Sequence, residues 1–312
     1  MKLIIQIPCL NEAETLPKTL ADLPKHIPGI DQIEILVIDD GSSDNTSEIA
    51  RQNGVQHIVR LTKRKGLAYV FQVGLDASLK HGADIIVNTD ADGQYKGEDI
   101  PRLVQPIVEG KADIVIGNRD IDNIKQFSWI KKRLQWLGSA VVRQLAGSKI
   151  PDATTGFRAY NREAALRLNI ISTYTYTVES IIQAEYKNLA IENITVHTNH
   201  VERPSRLFKS IPEYIQRSLL TMIRVWMMFN PLRLFINLGV ICLGIGGLII
   251  WRFLMFYWAG AGGGHIQSLI VAAIFCIAGI QLLVMGLIAD LIAANRRLIE
   301  DLLLRIKKIE SR

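Results

Sequence analysis

Two stretches of this 312-residue chain carry no charged residue, Leu234 to Trp251 and Ile266 to Ala289. Each is close to the ~20 residues a helix needs to cross ~30 Å of hydrocarbon, and core helices of globular domains rarely stay uncharged so long. Two membrane spans are therefore expected near one end of the chain. The segment between them, Ala259 to His265, holds no Lys or Arg, whereas the outer flanks of the pair hold several. By the positive-inside rule both chain ends then face the cytoplasm. Arg252 falls near the outer end of the first span, where it either snorkels to the headgroups or acts between helices.

The remainder is long enough, at 49% hydrophobic residues overall, to bury one large domain. The net charge of +6 is uneven: Lys and Arg crowd the segments just before and after the spans. That placement suits a lipid bilayer surface better than nucleic acid. Of three cysteines, Cys242 and Cys276 lie in the spans and Cys9 in the first turn, so no disulfide framework is suggested. Met1 to Ile7 is too short an apolar run for a signal peptide, which leaves the large domain in the cytoplasm. The expectation is a multi-pass protein of a prokaryotic plasma membrane.

From the start of the chain, strand-like and helix-like runs alternate. Strands are predicted at Leu3–Ile7, Ile33–Asp39 and His57–Leu61, and helices at about Glu12–Leu23, Asp44–Asn53 and Lys65–Lys80. Such alternation means βαβ units, an α/β fold and a mostly parallel sheet buried on both faces. Ligands of such sheets bind beyond the carboxyl ends of the strands. Three strand ends carry suggestive groups: Pro8-Cys9-Leu10-Asn11-Glu12, Asp39-Asp40-Gly41-Ser42-Ser43-Asp44 and Asp90-Ala91-Asp92. Asn11 and Asp44 fit helix caps and turns equally well.

The third of these ends the run Ile85-Ile86-Val87-Asn88-Thr89-Asp90-Ala91-Asp92-Gly93-Gln94. If the backbone stays extended through Asp92, its carboxylate and that of Asp90 point to the same side. Paired hard oxygen ligands suit Mg²⁺ or Mn²⁺, ions that accompany phosphates. Alone, the triplet also fits a strand end capped by solvated aspartates. With the other two ends on the same edge, it would line one cleft suited to a metal-bound nucleotide diphosphate.

The series I-P-x-L-N-E, V-I-D-D-G-S-S-D-N-T, N-T-D-A-D-G-Q, I-G-N-R and T-G-F-R, over roughly residues 1–210, resembles the family-2 glycosyltransferases of the GT-A fold. It is most similar to those that load sugars onto polyprenyl phosphates, the dolichyl-phosphate mannose synthase type. The resemblance implies that Pro8, Glu12, Asp39 and Asp40 hold the base and ribose of a UDP or GDP sugar, with Asn11, Ser42, Lys65 and Ala91 lining the same donor site. It also implies that Asp90 lies by ribose and metal, that Asp92 and Gln94 ligate the ion, and that Asp92, Asp152 and Arg119 are catalytic. Two departures stand out. Relatives often read N-x-G-K-G where this chain has Thr62-Lys63-Arg64-Lys65-Gly66, and many have leucine at the position of Gly93.

Beyond a helix Ile100–Val108 and a strand Ile114–Ile116 comes Arg119, then a basic aromatic stretch. Leu134, Leu137, Val141 and Leu145 repeat there at helical spacing, as in a surface helix packed on the sheet or a helix at the lipid headgroups. Asp152 to Arg158 reads as a loop and strand over the cleft. A helix opens at Thr177, and its Glu179 faces either cleft or solvent. Val201 to Ser210 resembles the family's R-x-x-S-K-L loop, with Arg206 where lysine is usual, and otherwise reads as a solvated linker. An amphipathic helix follows as far as Pro231, and a charged helix, Asn295–Lys308, reads as a cytoplasmic tail or an oligomer contact, with a homo-oligomer as the partner in the second case.

The expected layout is a cytoplasmic GT-A domain at 1–207 with an interface helix at 125–147, an amphipathic helix at 208–231, two spans within 232–292 and a tail helix at 293–312. Its expected activity is metal-dependent, inverting transfer of a sugar from a nucleotide diphosphate sugar to a polyprenyl (undecaprenyl or dolichyl) phosphate at the inner leaflet. Arg119, Arg133, Arg203 and Arg206 would hold the acceptor phosphate; otherwise these four only attract anionic lipid. A processive polysaccharide synthase would ordinarily carry Q-x-x-R-W, where this chain has Gln216-Arg217-Ser218. A non-enzymatic scaffold would have lost the metal carboxylates, and both are present.

Overall fold

The computed structural model describes residues 1–119, 150, 152–172, 175–199, 224, 227–229, 231–260 and 266–310. Contacts divide the chain into two units, Met1–Ile223 with Leu303–Arg312, and Arg224–Leu302. In the first unit, mostly apolar runs make four parallel strands: β1 (Lys2–Cys9), β2 (Gln32–Asp39), β3 (His57–Arg60) and β4 (Ile85–Asn88). β5 (Ile114–Arg119) and β7 (Ile191–Val196) pair in parallel, and β6 (Arg158–Asn161) runs antiparallel between β4 and β5. The sheet order is β3-β2-β1-β4-β6-β5-β7. Order reverses between β1 and β4, so the carboxyl ends of those strands flank the crevice where doubly wound sheets take ligands.

Both faces are covered, because successive residues of the central strands, which point to opposite faces, are apolar and buried. Leu3, Ile5, Ile7, Val37, Val87 and Val115 join a buried cluster with Leu16 of α1 (Leu16–Asp22), Ala50 of α2 (Thr46–Gln52) and Leu103 and Ile107 of α4 (Ile100–Val108). On the other face α3 (Leu67–Lys80) crosses β1 and β2 at Gly74, where an added Cβ would strike Gln6 and Ile38. The helices α5 (Arg162–Arg167) and α6 (Thr177–Tyr186) complete the described part of this unit.

Some boundaries differ from the sequence expectation. The first helix starts at Leu16 rather than near Glu12, since Glu12–Thr15 close a turn onto the Glu12 carbonyl and Pro17 favours a helix start. The fifth strand runs on to Arg119, because β7 pairs with it through that residue. Segments 120–149 and 200–223, with the two expected interfacial helices, lie almost wholly outside the described residues.

The second unit is built from α7 (Pro231–Trp258) and from α8 (Ile266–Glu310) as far as Leu302. At 1.5 Å per residue they are about 42 and about 68 Å long. The charged tail expected as a separate helix is the continuation of α8: no Gly or Pro follows Gly286, and Arg296 pairs with Glu300 one turn on. Both helices are long and apolar enough to cross a membrane, and only 11% and 17% of their most apolar windows are buried. A core helix of a soluble domain would be the reverse.

What these helices bury is small. Gly239 of α7 faces Gly279 of α8 and Gly246 faces Ala272, Gly286 meets Phe235 and Leu232, and Ala293 continues the seven-residue interval. A Cβ on Gly239 would lie 3.0 Å from the Gly279 carbonyl oxygen, and the converse distance is also 3.0 Å. Close backbone approach through small residues is how apolar helices gain packing where lipid is as oily as leucine. Large side chains such as Leu248, Trp251, Ile270 and Ile277 point outward.

This seam predicts a contrast between two glycines. Gly279→Leu should lower the thermal unfolding midpoint in detergent, by about 1–3 kcal/mol of overpacking. Gly247→Leu, where an added Cβ meets nothing within 4 Å, should leave it unchanged.

Candidate active site

The loops at the carboxyl edge are joined to one another by side chains. Asn11, at φ +54°, accepts the Ser43 N–H through its Oδ1 and donates its own N–H to Ser42 Oγ. Thr46 Oγ1 accepts the Glu12 N–H, and Asp44 accepts the N–H groups of Ala13 and Thr46. The first and second loops therefore form one body. Neither caps a helix, since Thr15 and Asn45 hold those positions; Asn11 sits in a turn and Asp44 closes one on Thr46.

Asp39 and Asp40 are almost fully buried, and each binds the chain itself. Asp39 accepts the Ser42 N–H and the Ser47 hydroxyl, with Arg60 at 3.6 Å. Asp40 accepts the N–H groups of Lys65 and Gly66 at 2.6 and 2.9 Å, which draws the third loop against the second. Lys65 holds its ammonium 5.8 Å from the Tyr69 ring centre. Pro8 precedes Cys9 at the end of β1, and the Cys9 thiol is pushed well up by burial and by the field of Glu12, Asp39, Asp44 and Asp90. It stays protonated at neutral pH and is no nucleophile.

After β4 the chain makes a short loop through the carboxylate pair. Asp92 Oδ1 accepts the Gln94 N–H at 3.0 Å, an Asx turn in which Gly93 takes φ +70°. A leucine there would fit the space but not the backbone, which accounts for the departure at this position. The Ala91 carbonyl accepts from Thr19, fixing the loop to α1. The Asp90 carboxyl is raised from 3.8 to about 7 by burial and by the charges of Asp92 and Glu12, against the pull of Arg119. Two acidic groups held this close in poor solvation are short of positive charge, and that is the environment a divalent cation relieves. Among the described residues no group of three or more His, Cys, Asp or Glu side chains could hold a metal alone, so other ligands, including those of a bound diphosphate, would have to complete the shell.

Because β6 runs antiparallel, the loop entering it, Asp152–Phe157, reaches the same edge. Asp152 is fully buried and pairs with Arg119 at the end of β5 through Nε at 2.7 Å and Nη2 at 3.2 Å. Nη2 also donates to Thr154 Oγ1 at 2.8 Å. Burial works against both charges, yet the pairing holds Asp152 below the ordinary carboxylate range and Arg119 above its own. Arg119 is thus held by a carboxylate of its own chain rather than lying free at the edge. Its Nη1 has no hydrogen-bond partner among the described residues. Gly156 permits the loop to pass Asp90: a Cβ there would be 3.2 Å from Asp90 Oδ1 and 2.9 Å from the Tyr176 hydroxyl.

Several supporting residues were not singled out from sequence. Gln6 donates to Asn88, and Asn88 donates to the Gly156 carbonyl and to Tyr176 Oη. An amide within L-I-I-Q-I-P was the available signal, since a lone polar group in an apolar strand needs a buried partner. Tyr95 stacks on Phe157 at 4.8 Å and accepts the Gly156 N–H, joining the Asp92 loop to the Asp152 loop. Glu179 faces neither cleft nor solvent. It is buried and accepts the N–H groups of Ile171 and Ser172. Asn199 bonds to the backbone of Gly93 and Gln94, so the chain leaves β7 beside the Asp92 loop. Arg133, Arg203 and Arg206 lie outside the described residues.

The edge therefore brings together Glu12, Asp90, Asp92, Arg119 and Asp152. Comparison with known proteins agrees with the fold. The model of the family "Glycosyl transferase family 2" matches residues 4–168. An undecaprenyl-phosphate mannosyltransferase of Micrococcus luteus is 32% identical over 65% of this chain and 85% of its own length. Glycosyltransferase AglJ of Haloferax volcanii is 27% identical over 98% of this chain and 97% of its own, so the likeness extends through the apolar helices. Among solved structures, glucosyl-3-phosphoglycerate synthase from Mycobacterium tuberculosis, in complex with Mn²⁺, UDP and glucosyl-3-phosphoglycerate, aligns with a TM-score of 0.56 at 21% identity, over 71% of this chain and 79% of that one. With a mostly parallel sheet of the GT-A type and a family match over more than half its length, this chain is a glycosyltransferase of family 2.

Proposed function

We propose that the protein transfers a sugar, with inversion, from a UDP or GDP sugar to the phosphate of a polyprenol at the cytoplasmic face of a prokaryotic plasma membrane. The observation that supports this most is the placement of a charge-deficient carboxylate pair, Asp90 and Asp92, on the same sheet edge as a pre-aimed arginine, Arg119, in a chain that also carries two apolar helices. The names of the relatives support a polyprenyl phosphate acceptor, and the UDP and Mn²⁺ bound by the structural neighbour support the donor class.

In this reading residues 1–207 are the catalytic domain, segments 125–147 and 208–231 belong at the bilayer surface, the spans fall within 232–292, and 293–312 is a tail that could also serve a homo-oligomer. Pro8, Asn11, Glu12, Asp39, Asp40, Ser42, Lys65 and Ala91 shape the nucleoside side, largely through the loops that the two aspartates draw together. Asp92, Asp90 and Gln94 would hold Mg²⁺ or Mn²⁺, which when bound would offset charge on the leaving diphosphate. Arg119 presents Nη1 to the acceptor phosphate while Asp152 and Thr154 keep the guanidinium from turning. Arg133, Arg203 and Arg206 add charge to the acceptor side; Arg203 is four residues beyond Asn199, which bonds to the Asp92 loop. A lipid phosphate, with a second pKa of about 6, is already an anion, so no strong general base is required.

A screen of radiolabelled nucleotide sugars on membranes containing the protein should yield one labelled polyprenyl-phosphate sugar. Asp92→Ala and EDTA should each abolish it, a loss of several kcal/mol of transition-state stabilisation. Full turnover without metal would refute the reading.

Asp90 makes the cation's effect depend on pH. Below about 4 its carboxyl is protonated whether the chain is folded or not. Between there and about 7 the folded protein keeps a proton that the unfolded chain releases, so this group's contribution to metal-free stability is lost as pH rises to about 7. Mn²⁺ or Mg²⁺ should therefore raise the unfolding midpoint more at pH 8 than at pH 6, and Asp90→Asn should remove that difference.

Orientation is tested by labelling intact cells. With Cys9, Cys242 and Cys276 replaced by serine, Gly262→Cys should react with an impermeant thiol reagent and Ser311→Cys should not. The opposite pattern would put the catalytic domain on the side without nucleotide sugars.

A further inference from the structure

Arg158 is 1% exposed, and among the described residues no carboxylate pairs with it. Its guanidinium instead donates to four neutral oxygens: Nε to the Thr155 carbonyl at 2.9 Å, Nη2 to the Ala153 carbonyl at 3.0 Å, and Nη1 to the Thr177 carbonyl at 2.8 Å and Ser180 Oγ at 2.7 Å. A buried cation among neutral partners is costly unless most of its donors are used, and the rigid fork of arginine is what lets one group reach so many.

The partners are not scattered. Ala153 and Thr155 flank Thr154, which together with Asp152 holds Arg119. Thr177 and Ser180 belong to the first turns of α6. The loop has little ladder bonding of its own: the Phe157 carbonyl accepts from Gly117, and the Thr154, Gly156 and Phe157 N–H groups go to side chains. Asn88 and Tyr176 hold the Gly156 carbonyl from the same buried side. Loop conformation is thus specified from beneath by side chains, and Arg158 supplies the largest share.

We propose that Arg158 is a positioning residue: by gathering the carbonyls on either side of Thr154 and the start of α6 around one guanidinium, it holds Asp152 and Thr154 where they aim Arg119 at the cleft. The inference rests on the reading of Arg119 as a ligand of the acceptor phosphate. A lysine at 158 has a single ammonium and cannot reach the Ala153 and Thr155 carbonyls with the same fixed geometry.

The test uses full-length protein in detergent, with farnesyl phosphate as acceptor probe and Mn²⁺ with UDP or GDP, whichever binds the wild type, as donor probe. Arg158→Lys should weaken farnesyl phosphate binding tenfold or more by calorimetry while nucleotide affinity stays within threefold. Leu103→Ala, on the buried face of α4, should lower the unfolding midpoint without changing either affinity. Arg119→Lys combined with Arg158→Lys should bind farnesyl phosphate within twofold of Arg119→Lys alone, because the second residue acts through the first. Parallel loss of both probes, additive effects or wild-type affinity in Arg158→Lys would overturn the proposal. Should that variant not fold, Ser180→Ala carries the test, with about a threefold weakening expected and full affinity counting against it. Amide exchange of Thr154 and Gly156 needs no ligand: Arg158→Lys should speed it tenfold or more. Unchanged protection there refutes the positioning role whatever the acceptor, whereas faster exchange in Arg158→Lys, together with a wild type that does not bind farnesyl phosphate, would fault only the acceptor reading.

Discussion

At the carboxyl edge of a parallel sheet each strand must turn back over a face, and the turn leaves backbone N–H and C=O groups that no ladder can satisfy. Here side chains take them up. Asp39 and Asp40 bind the N–H groups of the second and third loops, Asn11 and Asp44 bind those between the first and second, and Arg158 and Asn88 bind the carbonyls of the loop before β6. Buried polar groups left without partners would cost roughly 1–3 kcal/mol each, so the edge is ordered by the same hydrogen bonds that make it polar. A site for charged ligands and a solution to a backbone problem are one construction.

The pairing of Arg119 with Asp152 shows how such an edge trades stability for direction. Removing two charges from water consumes most of what their attraction returns, while losing one partner would leave the other unpaired at a cost of about 3–5 kcal/mol. The net contribution to stability is small; the gain is a guanidinium that cannot rotate. Two of its nitrogens are tied to Asp152 and Thr154, and the third has no hydrogen-bond partner among the described residues. At Asp90 and Asp92 charge is not balanced in this way, and negative charge is in excess.

The two long helices follow a different rule, one that suits hydrocarbon rather than water. In the sheet domain large apolar side chains are inside and the loops are polar. In α7 and α8 glycine and alanine are inside and Leu, Ile and Trp are outside. A helix pair in water would expose that surface only at a large cost, whereas in hydrocarbon the outward side chains lose nothing and the seam gains close contact.

Much of this was legible in the residues. Unbroken apolar runs separated by helical periods determine a parallel sheet, uncharged runs of about twenty residues determine the two apolar helices, and Asp90-Ala91-Asp92 marks the loop after β4, because these signals are local and repeat at the period of the element. Other features depended on residues far apart in the chain. That Arg119 is held by Asp152, 33 positions later, follows from β6 entering the sheet antiparallel, and no local pattern announces strand direction. That Glu179 is buried as an acceptor for Ile171 and Ser172 depends on where α6 rests, and its sequence neighbourhood reads the same for a solvated face. Composition and periodicity decide which segments are strands and helices; the partners of a buried charge are decided by packing, since only the folded chain excludes the water that would otherwise serve every polar group equally.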